Sequence, residues 1–157
     1  MQFRPDGVLG KRTPAQLNLL IGEVVGLMML SPVHRVYQVR DVADIMLPAL
    51  NLGQYRMYRA ADRRPVGLVT WARLSAAVEA AYLDGRGMLS EAERTSGDRL
   101  YLTDFIAPYG HTRAMVKDLR TQAFPNEHAK ALRFTQQGKS RPHLWQFYGV
   151  NYQKPLH

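Results

Sequence analysis

The sequence predicts a single α+β domain with a mixed sheet flanked by helices. Two segments near the start carry apolar residues three and four positions apart, a spacing typical of amphipathic helices. A segment of period-two alternation interrupted by a polar turn then indicates a β-hairpin, and further helix-like and strand-like segments follow. With 157 residues, 46% of them hydrophobic, the chain is long enough to enclose its own core. We therefore expect residues 1–157 to form one domain, with residues 1–12 as a flexible N-terminal segment.

The first helix has recognisable start and stop signals. Thr13 can cap it, Pro14 suits the first helical position, and Gln16 completes a capping box. Apolar residues at helical spacing then continue to Leu30, which predicts one buried face. The Ser31-Pro32 pair ends the helix, because proline disfavours helical backbone at the residue before it.

The remaining elements follow from the same periodicities. We first predict a helix over 39–47 that ends near Pro48, followed by hairpin strands over 54–60 and 66–71 with a turn at 61–64. A helix over 72–83 then leads into a loop over 86–98 that contains a short helical turn. The remaining predicted elements are a strand over 99–106, a helix over 111–124, and strands over 131–135 and 144–150 that are separated by a turn at 136–142. Several folds fit this order, including the ferredoxin-like and the Gcn5-related N-acetyltransferase folds.

Composition excludes several kinds of chemistry. The chain has no cysteine, so it can form neither disulfides nor a thiolate nucleophile nor sulfur-ligated metal sites. The net charge of +8 attracts polyanions, which include nucleic acid, anionic membranes and acidic proteins. The first residues lack the apolar core of a signal peptide, and the apolar run 17–30 is interrupted and too short to cross a bilayer. We expect a soluble cytoplasmic protein without a stable membrane anchor.

Two residues stand out as candidates for catalysis. None of the five histidines belongs to a metal-binding pair, so no metal site is expected. His34 follows the end of the first helix in a short connection, where functional side chains are often held, although a structural role is commoner for a lone histidine. Asp104 lies among apolar residues on a predicted strand, and a carboxylate there needs a partner or water. Sequence separation cannot show whether the two side chains meet.

The predicted hairpin carries four arginines. Arg56 and Arg59 are three positions apart on one strand, so their side chains should point to opposite faces of the sheet. Arg63 and Arg64 belong to the turn. The four residues therefore do not form one flat basic patch, and a solvated surface explains them as well as a binding site does.

Several short motifs occur in order over roughly residues 20–135. They are Ser31-Pro32-Val33-His34-Arg35, Leu47-Pro48-Ala49, Gly53-Gln54-Tyr55, Pro65-Val66-Gly67-Leu68-Val69-Thr70-Trp71-Ala72, Thr95-Ser96-Gly97-Asp98-Arg99 and Asp104-Phe105-Ile106-Ala107-Pro108-Tyr109-Gly110. In this order and spacing, the sequence resembles the toxin-activating lysine acyltransferases of RTX toxin systems. Each motif alone is weak, but the ordered series is hard to obtain by chance.

The resemblance implies a Gcn5-related N-acetyltransferase-like fold with a mostly antiparallel sheet. It implies transfer of a fatty acyl group from the acyl-phosphopantetheine of acyl carrier protein to internal lysines of an RTX protoxin, with no permanently bound cofactor. The family's catalytic histidine falls on His34 and its catalytic aspartate on Asp104, and Ser31 in the same motif is a secondary candidate. The resemblance also suggests a homodimer.

The donor implied by the resemblance gives the basic surface a role. Acyl carrier protein is strongly acidic, so complementary charge would speed its encounter with the enzyme. We predict that the hairpin arginines contact it: Arg56, Arg59, Arg63 and Arg64.

Two alternatives remain open at this point. The acceptor could be a lysine- or ornithine-containing precursor peptide in lipopeptide maturation. The chain could instead be a non-catalytic module that binds nucleic acid through its charge, although the ordered motifs favour an enzyme that binds no nucleic acid. The chain also differs from the usual family pattern, since Thr70 replaces a common cysteine, residues 26–30 lack aromatic side chains, and the C-terminal segment is short.

Overall fold

The computed structural model describes residues 4–6, 12–85, 87–133 and 143–155. Its helices are α1 (Pro14–Met29), α2 (Val39–Asp41), α3 (Leu47–Asn51), α4 (Ala76–Leu83), α5 (Glu91–Arg94) and α6 (Thr112–Asp118). A 3₁₀ turn (His34–Val36) follows α1, and π-helical turns (Val42–Met46 and Leu119–Ala123) follow α2 and α6. The strands are β1 (Arg4–Asp6), β2 (Tyr55–Arg59), β3 (Pro65–Leu74), β4 (Arg99–Ile106), β5 (His128–Arg133) and β6 (His143–Tyr148).

The described strands form one mixed sheet in the sequential order β1-β2-β3-β4-β5-β6. Neighbouring strands are antiparallel except for β4 and β5, which run parallel. This confirms the predicted α+β class and the mixed, mostly antiparallel sheet. The parallel pair is possible because α6 lies in the connection between its strands.

Helices cover both faces of the sheet. On one face, α1 and the helical segment 39–51 pack on Tyr55, Met57, Leu68 and Ile106. On the same face, Tyr82 of α4 packs on Tyr101. On the opposite face, α6 buries Met115 against the sheet. Apolar burial on both faces fixes the register of the central strands, since a slip by one residue would exchange the two faces.

A β-bulge interrupts the pairing of the two central strands. Thr70 pairs with Asp104, whereas the next residue, Trp71, pairs with Leu102, so Thr103 is the extra residue. Directly opposite residues share a face of the sheet. The bulge therefore places Asp104 beside Thr70 on the face that α1 covers, whereas Leu102 faces the other way.

The predicted capping box of α1 is confirmed. Thr13 Oγ1 accepts a hydrogen bond from the Gln16 amide, and the Gln16 side chain accepts one from the Thr13 amide. The strand over 99–106 and the short helical turn in the loop after α4 are also confirmed.

Other boundaries were wrong in instructive ways. The predicted helix over 72–83 begins at Ala76, because residues 72–74 extend β3 along β4 and Ser75 caps the helix. The predicted helix over 39–47 continues to Asn51, with Pro48 tolerated within the first two positions of α3.

The two ends of the chain carry strands. Arg4–Asp6 pairs antiparallel with β2 and forms the edge strand β1, and the flexibility expected for residues 1–12 stays a prediction. The last two strands begin earlier than predicted, at His128 and His143. The turn predicted over 136–142 lies outside the described residues.

Candidate active site

His34 opens the 3₁₀ turn that follows α1. The helix ends at Met29, and the Arg35 amide donates to the Ser31 carbonyl oxygen at 2.9 Å, which holds the turn against the end of the helix. The His34 side chain is buried, and its ring lies 5.2 Å from the ring of Tyr37. A histidine that the sequence places in a short connection is therefore buried and in contact with the ring of Tyr37.

The bulge in β4 brings Asp104 to this histidine across 70 residues of sequence. Asp104 Oδ1 lies 3.2 Å from His34 Nε2, and both side chains are more than 90% buried. The predicted candidates thus form one buried histidine–aspartate pair. An ionised carboxylate only accepts hydrogen bonds, so His34 Nε2 donates to Asp104.

The third candidate, Ser31, occupies the other side of the imidazole. Its hydroxyl lies 2.7 Å from His34 Nδ1 and is buried with it. In a neutral ring whose Nε2 carries the proton, Nδ1 is an acceptor, so the Ser31 hydroxyl donates to it. The order serine, histidine, aspartate matches the logic of catalytic triads, with the roles of the two ring nitrogens exchanged.

A chain of hydrogen bonds supports the aspartate at Oδ2, the carboxylate oxygen opposite the one that contacts His34. Asp104 Oδ2 accepts from the Thr70 hydroxyl at 2.7 Å, and Thr70 Oγ1 lies 2.7 Å from Thr103 Oγ1. Thr103 in turn accepts from Arg94 Nη2 at 3.1 Å. Because a guanidinium only donates and a carboxylate only accepts, both hydroxyls must point from Arg94 toward Asp104. Hydrogen bonds aligned in one direction polarise and strengthen one another.

Arg94 is almost completely buried at the start of this chain. Its Nη2 also donates to the Trp71 carbonyl oxygen at 2.8 Å, and its Nε donates to Gln54 Oε1 at 3.3 Å. Burial lowers the pKa of the Arg94 guanidinium from its ordinary value, whereas the negative charge of Asp104 acts in the opposite direction. The arginine thus supplies a buried positive charge that compensates the buried carboxylate.

Two phenols flank the pair and stay neutral. Burial and then the charge of Asp104 raise the pKa of Tyr37 to about 12, and Asp41 adds to the shift. Burial and the same carboxylate raise the pKa of Tyr82 to about 12. Both rings line a small cavity of about 80 Å³ that reaches Asp104.

A larger cavity of about 370 Å³ reaches the histidine. It lies between α1 and the helical segment 39–50, and apolar side chains from both form most of its wall. The polar contributors, His34, Arg35 and Gln38, belong to the connection between the two helices. The histidine is therefore accessible from an apolar space although little of its surface is exposed.

Comparison with known proteins decides the family. The sequence model of the RTX toxin acyltransferase family, HlyC, matches residues 13–148, which include every residue of the site. The chain belongs to the RTX toxin acyltransferase family. It is an acyltransferase.

Individual relatives match about three quarters of the chain. A Synechocystis sp. protein is 39% identical over 121 residues, covering 76% of this chain and 82% of that protein. The lysine-acyltransferase RtxC of Vibrio cholerae is 37% identical over 112 residues, which cover 71% of this chain and 73% of RtxC. The protein-lysine myristoyltransferase HlyC of Escherichia coli is 38% identical over 114 residues, which cover 73% of this chain and 66% of that protein.

In this acyltransferase, two of the four hairpin arginines are committed to internal ion pairs. Arg56 forms a two-pronged pair with Asp118, at 2.7 and 2.9 Å, on one face of the sheet. Arg59 forms one with Glu23 of α1, at 2.7 and 3.0 Å, on the other face. The predicted opposite orientation of Arg56 and Arg59 is confirmed.

The turn arginines differ from the pair on the strand. Arg63 and Arg64 are exposed, and the Arg64 guanidinium lies over the ring of Tyr109. Arg35 and Arg40 are also exposed and lie much closer in sequence to the histidine, yet sequence reasoning did not select them. Contact of any of these residues with acyl carrier protein stays a prediction.

Sequence reasoning also missed the support of the aspartate. Thr70 and Thr103 were not selected, although a lone threonine in the apolar stretch 66–71 is a signal of a polar partner nearby. Arg94 carried no such signal, because its short helix reads as a polar loop. Across the described residues, no three His, Asp or Glu side chains cluster in a way that suits a metal ion, and none of the described helices is both long and apolar enough to span a membrane.

Proposed function

We propose that the enzyme transfers a fatty acyl group from acyl carrier protein to the ε-amine of internal lysines of an RTX protoxin. The buried arrangement of Ser31, His34 and Asp104 carries the proposal, because it supplies the base that acylation of an amine requires. The names of these relatives support a lysine acceptor and, for the Escherichia coli protein, a myristoyl group. The mixed sheet flanked by helices is consistent with a Gcn5-related N-acetyltransferase-like fold.

The chemical task lies with the acceptor amine rather than with the thioester. A thioester is already activated, whereas a lysine with its ordinary pKa of about 10.4 is neutral in roughly one molecule in a few thousand at pH 7. The ammonium must lose one proton to solvent before it can attack, and the neutral amine must lose a second proton as the C–N bond forms. A general base within hydrogen-bonding reach of the nitrogen is therefore the main catalytic group.

We assign the base to His34 Nδ1. Asp104 accepts the hydrogen bond of Nε2–H and so leaves Nδ1 with its lone pair. As the amine nitrogen forms its bond to the carbonyl carbon, Nδ1 accepts the amine proton, and the negative charge of Asp104 stabilises the imidazolium. Collapse of the tetrahedral intermediate breaks the C–S bond, and the proton on the ring passes to the leaving sulfur of phosphopantetheine.

Ser31 allows two routes to the same product. In direct transfer, the Ser31 hydroxyl hydrogen-bonds to Nδ1. Either the amine displaces the hydroxyl from Nδ1, or the hydroxyl relays the proton from the amine to Nδ1. In the alternative route, the enzyme itself is acylated first, on His34 or on Ser31, and the lysine then attacks the acyl-enzyme. Rapid-quench mass spectrometry of enzyme mixed with donor alone separates these routes, because direct transfer leaves no acylated enzyme.

The acidic donor is expected to approach the basic surface near the site. Arg35 and Arg40 flank the connection that carries His34, and both are exposed. Tyr55 pairs with Thr70 at the level of the site, and the turn is closed by the Ala60 amide and the Arg64 carbonyl oxygen, six residues from Thr70, so the turn lies about 20 Å away at about 3.3 Å per residue. The residues beside His34 therefore fit the entry of phosphopantetheine better, and the turn arginines fit contact with the body of the carrier protein.

Intact-mass analysis tests the proposal directly. Myristoyl-loaded acyl carrier protein is incubated with enzyme and an RTX protoxin, and the mass of the protoxin is followed. Wild type adds one acyl mass per modified lysine, whereas His34→Ala and Asp104→Ala add none while remaining folded by circular dichroism. His143→Ala is the matched control, because His143 is an exposed histidine of β6. Transfer that survives His34→Ala would refute the assigned base.

A further inference from the structure

We infer that the cavity of about 370 Å³ between α1 and the helical segment 39–50 binds the fatty acyl chain of the donor, with the thioester carbonyl at its His34 end. The inference rests on the proposed function and names the part of the donor that this space holds. It also assigns a task to the apolar face of α1 beyond its packing on the sheet.

The wall of the cavity suits an alkyl chain. On α1, the lining residues are spaced three, four and seven positions apart, so they form one continuous stripe. The residues that line the cavity from the two helices are all apolar: Ile21, Val24, Val25, Met28 and Met29 from α1, and Val39, Val42, Ala43, Leu47 and Leu50 from the facing segment. A polar ligand would lose its hydrogen bonds to water in this space without replacement, whereas an alkyl chain gains by leaving water.

The polar contributors give the cavity a direction. His34, Arg35 and Gln38 come from the connection that joins the two helices, so the polar end lies where the helices meet. An alkyl chain that extends between the helices would therefore leave its carbonyl beside the histidine. Van der Waals contact along the chain then holds the reacting carbon in place.

The size of the cavity corresponds to a fatty acyl group rather than an acetyl group. A methylene group occupies about the same share of volume as a water molecule, about 30 Å³. A cavity of about 370 Å³ therefore holds about a dozen such groups. Each buried methylene is worth about a fourfold gain in affinity, so donors should be selected by chain length until the cavity is full.

The first test locates the chain without requiring transfer. A myristic acid analogue with a diazirine near its terminal carbon is crosslinked to the enzyme by light, and the labelled peptides are identified by mass spectrometry. We expect labels on peptides from α1 and the segment 39–50. Labels confined to other parts of the chain would overturn the inference.

The second test changes the length of the cavity. Ile21 lies at the end of the stripe on α1 farthest from the connection, so Ile21→Trp should shorten the space. If the indole takes the place of two methylene groups, kcat/KM for the stearoyl and myristoyl donors falls about fifteenfold, while the octanoyl donor is unaffected. Leu19→Trp is the matched control, because Leu19 is on the same helix but 67% exposed.

A second variant guards against misfolding. Ala43 lines the cavity and is exposed, so Ala43→Phe narrows the space with little risk to the core. It should shift the preference to shorter chains in the same direction as Ile21→Trp. An unchanged chain-length profile in both folded variants would refute the inference even if transfer is normal. If no donor reacts with any acceptor, the proposed function fails, and the crosslinking result then decides the inference alone.

Discussion

Replacing Thr70 by valine isolates the contribution of the hydroxyl that supports Asp104. Valine has nearly the same shape, and the side chain is completely buried in β3, so packing should change little. The change removes two hydrogen bonds of 2.7 Å, one to Asp104 Oδ2 and one to Thr103 Oγ1. It thereby cuts the chain that runs from Arg94 to the aspartate.

The magnitude follows from the kind of bond that is lost. A hydrogen bond to a charged group contributes about 1.5–3 kcal/mol, and a buried polar group left without its partner costs a further 1–3 kcal/mol or so. If the first contribution is needed to hold Asp104 against His34 during proton transfer, kcat falls about tenfold to a hundredfold. The free energy of unfolding should fall by about 1–3 kcal/mol through the second.

The assay must separate catalysis from stability and from binding. Initial rates of protoxin acylation give kcat and KM for the acyl donor, and urea denaturation gives the free energy of unfolding. Because Thr70 supports the base and does not line the large cavity, we expect kcat to fall and KM for the donor to stay constant. Thr70→Ser restores the hydroxyl and should recover most of the rate.

The control repeats the chemical change away from the site. Thr121 lies in the π-helical turn after α6, and its hydroxyl donates to the Lys117 carbonyl oxygen at 2.9 Å. Thr121→Val should leave kcat unchanged. The assigned role of Thr70 would be refuted if folded Thr70→Val kept the wild-type kcat, or if Thr70→Ser were as slow as Thr70→Val.

Three further perturbations test the supporting structure and the charges. Arg94→Met should lower the free energy of unfolding, measured with urea, by about 3–5 kcal/mol, because Asp104 loses its buried countercharge. Arg94→Lys should not restore this stability, since an ammonium lacks the planar geometry of a guanidinium. An unchanged urea midpoint in Arg94→Met would contradict the assigned role. Burial alone would raise the pKa of Glu79, but its hydrogen bonds, led by that from Lys130, hold the value at about 2. The pKa of Glu79 in the folded protein is thus below its unfolded value of about 4.3, so its contribution to the free energy of unfolding is complete above pH 4.3 or so and is lost as the pH falls toward 2. Glu79→Gln should lower the free energy of unfolding by about 2 kcal/mol at pH 7 and flatten the dependence of stability on pH in this range. Added salt should lower kcat/KM for acyl carrier protein, and replacing both Arg63 and Arg64 by glutamine should reduce that salt dependence. If the salt dependence of kcat/KM is unaltered in the double variant, the turn is not part of the docking surface.

Local patterns in the sequence were sufficient wherever short-range forces decide the structure. The cap at Thr13, the amphipathic face of α1 and the strand over 99–106 depend on residues within a few positions of one another. The opposite orientation of Arg56 and Arg59 follows from strand alternation alone. His34 and Asp104 stood out by their positions in the sequence, whereas their catalytic roles and the candidate Ser31 came from the ordered motifs of a family resemblance.

The tertiary structure alone decided how those candidates meet. Simple alternation along β4 would place Asp104 on the same face as Leu102, but the bulge at Thr103 reverses the alternation and turns the carboxylate toward His34. The bulge depends on pairing with β3, and the buried charge of Arg94 depends on partners far away in the sequence. Such contacts cannot be predicted from the spacing of residues in the sequence, because they form only when distant strands pair in one register. That register determined the site, whereas local periodicity determined the elements that carry it.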